Sequence, residues 1–156
     1  MDEAAAPRTD RYWTRLQLSH PTLDPAAITE ALGVQPTVSW LVGTPRQTPR
    51  GDLLEGIRRQ SYWGHRGQAD CADLEDAFEP ALTMLTRARS FLHAFAASGG
   101  TATLSISWAY ESDVAPGRVF GWDLLSRFAD LKVDLGVEVH FPSAALAAAG
   151  EARGSP

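Results

Sequence analysis

The sequence predicts an α+β domain: a mostly antiparallel sheet of about five strands with helices packed on one face. Three observations lead there. Several short stretches alternate apolar and polar residues, as strands wetted on one side do. Longer stretches repeat their apolar residues every three or four positions, as amphipathic helices do. The two kinds follow one another in the order βα-ββ-α-β-α-β.

The first strand is expected over residues 11–19, where Tyr12, Thr14, Leu16 and Leu18 share a face. A helix start follows at Thr22-Leu23-Asp24-Pro25. Asp24 caps the free N–H groups, and Pro25 fills a first-turn position that needs no N–H. Ile28, Ala31 and Leu32 form the apolar stripe, and Gly33 supplies a left-handed stop. Residues 34–42, entered through Pro36, read as a second strand, and residues 60–66, with Tyr62 and Trp63, as a third. The segment TPRQTPRGDLLEGIRR between them reads as the long, polar, mobile connection of a hairpin.

Asp70, Asp73, Glu75, Asp76 and Glu79 gather where the longest helix is expected to begin, complementing its dipole. Pro80 marks its first turn, or a kink after a short preceding turn. Ala81, Met84, Leu85, Ala88, Phe91, Leu92 and Phe95 recur at helical spacing, with Thr83, Arg87 and Ser90 on the wet side and Gly99-Gly100 as the stop. Residues 101–110 alternate Ala102, Leu104, Ile106 and Trp108 with Thr103, Ser105 and Ser107, the pattern of a sheet covered on one side. After a Pro116-Gly117 turn, Phe120, Leu124, Phe128 and Leu131 mark a third helix. A closing strand over residues 133–141 sets Val133, Leu135, Val137 and Val139 against Asp134, Glu138 and His140.

A chain of 156 residues is sized for one domain. The pattern places it at residues 11–142, between a disordered arm at 1–10 and a flexible tail at 143–156 rich in Ala, Gly and Ser. Of 14 basic residues only Lys132 is lysine, a bias that reads as GC-rich coding rather than chemistry. The net charge of −5 argues against general nucleic-acid binding. One cysteine, Cys71, excludes a disulfide framework and a cysteine-rich zinc site. No apolar run reaches the ~18 residues of a bilayer span, and MDEAAAPRTD lacks the apolar core of a signal peptide. The expectation is a soluble, reduced, cytoplasmic domain with no membrane partner.

Leu23-Asp24-Pro25, Ile28, Leu32-Gly33, Pro36, Trp40, Gly43 and then Trp63 resemble the bacterial family catalogued as domain of unknown function 4279. There, an opening strand leads to a helix of the form DP…I…LG…P, then to a strand with Trp and Gly and to a further Trp. Residues 131–141, with Asp134, Val137 and Val139, are similar to the family's closing strand. The resemblance covers residues 12–141 and is most specific at 23–63, while the loop at 44–59 is longer than is typical. It implies a small α+β bacterial domain with no established activity, and it carries over no catalytic or cofactor residue.

The sharpest candidate surface is the basic hairpin. Arg46, Arg50, Arg58, Arg59 and Arg66 oppose only Asp52 and Glu55, so residues 44–66 carry +3 and the rest of the chain −8. Arginine forks grip carboxylates and phosphates, and Trp40, Tyr62 and Trp63 stand close enough in sequence to stack on a planar ligand. The plain alternative is a solvated loop beside core aromatics. Trp40 and Trp63 lie on strands expected to pair, so a cross-strand aromatic contact is the structural expectation and a pocket rim the functional one. Trp108 and Trp122 are expected to close the opposite end of the core. Trp13 alternates away from Leu16 and Leu18, which leaves it partly exposed on the uncovered sheet face, a candidate partner or homodimer surface.

His65, Asp70 and Cys71 lie near one another, but no ligand spacing joins them to His20, His93 or His140, so no metal or other cofactor is expected. Cys71 precedes a helix start that would favour its thiolate, yet no histidine stands at a diagnostic distance in sequence. Nucleophile elbow, Walker loop and dinucleotide fingerprint are all missing. The sequence therefore reads as a non-catalytic binding or interaction module, inhibitor- or immunity-like, whose partner is a protein or an anionic small molecule. The competing class is an enzyme or small-molecule sensor with an aromatic, Arg-lined pocket near Trp40, Tyr62 and Trp63.

Overall fold

Alternating side chains make Arg11–His20 the strand β1, and its even-numbered residues Tyr12, Leu16 and Leu18 are buried while Arg15 is exposed. The computed structural model describes residues 11–69, 74–109 and 117–140. The expected arm at 1–10 and tail at 143–156 lie outside the described residues, as do Asp70, Cys71, Asp73 and Pro116. After β1 come α1 (Pro25–Leu32), β2 (Val38–Trp40), β3 (Pro45–Gln47), β4 (Leu53–Ile57) and β5 (Ser61–Ala69). A 3-10 turn (Asp76–Phe78), α2 (Glu79–Arg87), α3 (Arg89–Ala97), β6 (Thr101–Ala109), α4 (Trp122–Leu131) and β7 (Asp134–His140) complete the order.

The main sheet runs β2-β5-β1-β6-β7. Its pairings are antiparallel except β6 with β7, which are parallel and joined through α4. The sheet is thus mixed, a refinement of the mostly antiparallel expectation, because a strand returning through a helix comes back in the same direction. The helices cover one face. Leu16, Leu18, Trp63, Leu104 and Ile106 from the sheet meet Ile28, Leu82, Leu92 and Phe128 from the helices in one buried cluster. Phe78 meets Phe128 edge-on, with ring centroids 5.3 Å apart, the geometry the ring quadrupoles favour.

The α1 start forms as its sequence dictates. Asp24 accepts a hydrogen bond from the Ala26 N–H, Pro25 opens the helix, and Gly33 ends it at φ +70°. Elsewhere the structure corrects the sequence reading. The second strand shortens to three residues. Residues 44–59 are not an open loop, since β3 and β4 pair antiparallel into a separate hairpin. The long central helix is broken at Ala88, whose ψ of +16° leaves the helical region. Leu82, absent from the expected stripe, is fully buried. Ser105 and Ser107 are buried although they face away from the helices, because these small side chains sit beside longer cross-strand neighbours, Arg15 at Ser105 and Trp13 and Glu138 at Ser107. Trp108 joins the core, but Trp122 is 80% exposed and closes nothing. No described helix is long and apolar enough to cross a membrane.

Candidate functional site

The sheet face away from the helices is where the sequence-predicted surface assembles. Register puts Trp13, Arg15 and Gln17 of β1, Tyr62, Gly64 and Arg66 of β5, and Val38 and Trp40 of β2 on this open side. From β6 and β7 it receives Ser105, Ser107, Glu138 and His140.

Trp40 stacks on Tyr62 with ring centroids 4.3 Å apart and planes within 16°. On Trp40 lies the Arg58 guanidinium, its carbon 4.0 Å from the ring centroid. The stack is tethered at several points. The Gln17 amide donates to the Tyr62 hydroxyl at 2.8 Å, and the Trp40 Nε1–H donates to the Gln60 carbonyl at 3.2 Å. Arg58 is held by its backbone, whose N–H donates to the Thr44 carbonyl and whose carbonyl accepts from Gly43. A second stack repeats the arrangement across the face. Trp13 lies on His140 at 5.4 Å, and the Arg66 guanidinium stands 5.7 Å from the Trp13 ring centroid. Glu138 accepts from the Ser107 hydroxyl at 3.1 Å and lies 3.8 Å from His140.

The charge arrangement is unbalanced. On the helix side of the molecule, two arginines have carboxylates, Arg127 forking Glu79 and Arg89 reaching Asp130, while Arg87 of α2 makes no ion pair among the described residues. Hydrogen bonding from Arg127 holds the Glu79 carboxyl below the ordinary range, partly opposed by its modest burial. On the open face and hairpin, Arg15, Arg46, Arg50, Arg58, Arg59 and Arg66 make no ion pair among the described residues. Arg15 and Arg66 stand directly opposite each other in the β1–β5 ladder, a like-charge placement that costs stability.

The hairpin adds apolar area beside this charge. Leu53 and Ile57 of β4 are 73% and 61% exposed. Between β2 and the hairpin opens a cavity of about 510 Å³ whose lining includes Trp40, Thr44, Gln47, Thr48 and Arg58. It is concave, aromatic at one wall and polar at another, and its only charged lining group is the Arg58 guanidinium.

Of the expected surface residues, Trp40, Arg58, Tyr62 and Arg66 come together on one side of the sheet. Arg46 reaches back to the Glu55 carbonyl at 3.3 Å, while Arg50 and Arg59 are exposed. Trp63 does not join them. It points to the helix side, is fully buried, and donates from Nε1 to the Thr29 hydroxyl at 3.0 Å. The expected Trp40–Trp63 contact is therefore replaced by Trp40–Tyr62, since neighbours along a strand face opposite ways. Sequence reasoning left out Arg15 and Gln17, although both share the outward alternation of Trp13. No described group of three or more His, Cys, Asp or Glu side chains could hold a metal ion.

A family model described as "Domain of unknown function (DUF4279)" matches residues 11–142, from the first residue of β1 to just past β7. No curated protein and no solved structure matches the chain.

Proposed function

The chain belongs to the DUF4279 family, and from that premise we propose that it is a non-catalytic binding module of the inhibitor or immunity type, docking an acidic protein partner. The open sheet face and the β3–β4 hairpin form the docking surface. One observation carries the reading: Arg15 and Arg66 oppose each other on a solvated face, and neither makes an ion pair among the described residues. An acidic partner supplies the missing counter-charge. Stacked guanidiniums are already oriented to fork carboxylates, so little side-chain entropy is lost on binding. Exposed Leu53 and Ile57 provide apolar area of the kind that anchors protein interfaces.

Affinity capture from the native lysate, with wild type beside Arg58→Ala/Arg59→Ala and Arg15→Ala/Arg66→Ala, tests this. The expected result is a protein retained by wild type at low salt, released as salt rises, and lost with both folded double variants. Equal retention by all three proteins overturns the reading. A second reading, a small-molecule sensor or enzyme, is favoured by the 510 Å³ cavity beside Trp40 and Arg58. A metabolite that co-purifies consistently, with no protein retained, selects that reading instead.

A further inference from the structure

A second, smaller cavity lies on the other side of the sheet, between its covered face and α2. Its volume is about 220 Å³. Leu16 and Leu104 of the sheet and Pro80, Ala81 and Met84 of α2 form its walls. Two polar groups share that lining, Thr14 and His65, and no charged side chain does. Thr14 is only 4% exposed and borders the cavity, and no hydrogen bond from its hydroxyl forms among the described residues. A hydroxyl at a cavity wall can both donate to and accept from a polar group placed inside it.

The lining keeps this space open by its residue choice. Gly67 faces Thr14 across the β1–β5 ladder, and a Cβ there would run into the Thr14 hydroxyl oxygen. Any larger residue would displace that hydroxyl. His65 is fixed on the other polar side, with its Nδ1 2.9 Å from the Gln35 carbonyl. A carbonyl only accepts, so Nδ1 carries the proton and Nε2 of the neutral ring is an acceptor. The cavity thus combines one hydroxyl that can donate, one imidazole that accepts, and otherwise apolar walls including a thioether suited to ring contact.

We infer that this cavity is a binding site for a small uncharged molecule made of a single apolar ring bearing one hydroxyl, of the phenol or benzyl alcohol class. Size sets the ring count: an apolar cavity of about 150 Å³ accommodates benzene, so this one holds one substituted ring and not two. Polarity sets the substituent, because a ligand hydroxyl donates to the imidazole and accepts from Thr14. The absence of a charged lining residue sets the charge, since an ion would enter without a counter-charge. This site is independent of the open sheet face, and either can fail without the other.

The test titrates phenol and benzyl alcohol into the full chain and follows backbone and methyl resonances, with benzoate and benzylamine as charged controls. Both alcohols are expected to shift the resonances of Thr14, His65, Ala81 and the Met84 methyl in a saturable way, and the charged controls are not. Thr14→Val keeps the side-chain shape and removes the hydroxyl, so it is expected to weaken phenol binding about fivefold to tenfold. Ala81→Leu fills the cavity and is expected to abolish binding while the chain still folds. Should Ala81→Leu unfold the chain, Thr14→Val and the charged controls decide alone. No saturable shift at these residues, benzoate binding as tightly as phenol, or an undiminished affinity in Thr14→Val each overturns the inference.

Discussion

Two tryptophans that look alike in the sequence do opposite work. Trp63 is fully buried and bonds to Thr29, so it ties β5 to α1. Trp63→Ala is expected to cost about 3–5 kcal/mol in urea unfolding, the cavity cost of a core aromatic plus a lost hydrogen bond. Trp40 lies between Tyr62 and Arg58 at the surface, and Trp40→Ala is expected to cost about 1 kcal/mol, the worth of its stacking. If the two variants lose equal stability, the division between core and surface is wrong. Glu79 shows a different residue-scale effect. Arg127 lowers its folded pKa, so the pair's contribution is whole above the pH where an unfolded glutamate titrates and is lost as pH falls through the lower folded value. Both side chains are about half exposed, which limits the contribution to under about 1 kcal/mol. Glu79→Gln is therefore expected to be slightly less stable than wild type at pH 7, with the difference closing in acid; a gap that persists below pH 3 would refute the pairing.

At the scale of elements, what was legible depended on whether the signal is local. The α1 helix could be read in full because its cap, its proline and its glycine stop all act within one turn of the residues they affect. Asp24→Ala is expected to lower stability by about 1 kcal/mol in the same unfolding assay, and no loss would mean that the cap is idle. The β3–β4 hairpin escaped notice because its strands are short and exposed throughout, so no alternation with a core distinguishes them from a loop. Its turn uses Gly51 and the irregular pairing of β4 uses Gly56, both at positive φ, a backbone signal that the sequence showed only as two glycines. The interruption at Ala88 was hidden for another reason. The apolar stripe continues across the break, with Leu85, Ala88 and Leu92 all buried, so periodicity alone reads one helix. Because Leu53 and Ile57 support no core, Leu53→Asp/Ile57→Asp is expected to leave the melting temperature within about 1 °C while weakening partner capture. A large fall in stability would assign them to the fold instead.

Across the whole molecule, charge is sorted by side. On the helix face Arg89 and Arg127 are paired, and the open face with the hairpin keeps its arginines unpaired among the described residues. Relieving the Arg15–Arg66 opposition with Arg66→Glu is expected to raise stability by a few tenths of a kcal/mol. It should also remove the part of wild-type stability that grows with salt, an exchange of function for stability read from unfolding curves at two ionic strengths. If Arg66→Glu is less stable than wild type at low salt, the face is not self-repelling.

The sequence by itself determined the class of fold, the position of nearly every main-sheet strand and helix, and the family resemblance, since periodicity, caps and turn residues are properties of neighbouring positions. Only the tertiary structure decided that β7 runs parallel to β6, that Ser105 and Ser107 are shielded by longer cross-strand neighbours, and that Trp63 faces the core while Trp40 and Tyr62 stack outside. It alone set Arg15 against Arg66 and Thr14 against Gly67. Strand pairing joins residues some 50 positions apart, and no local pattern in the chain records which of them will meet.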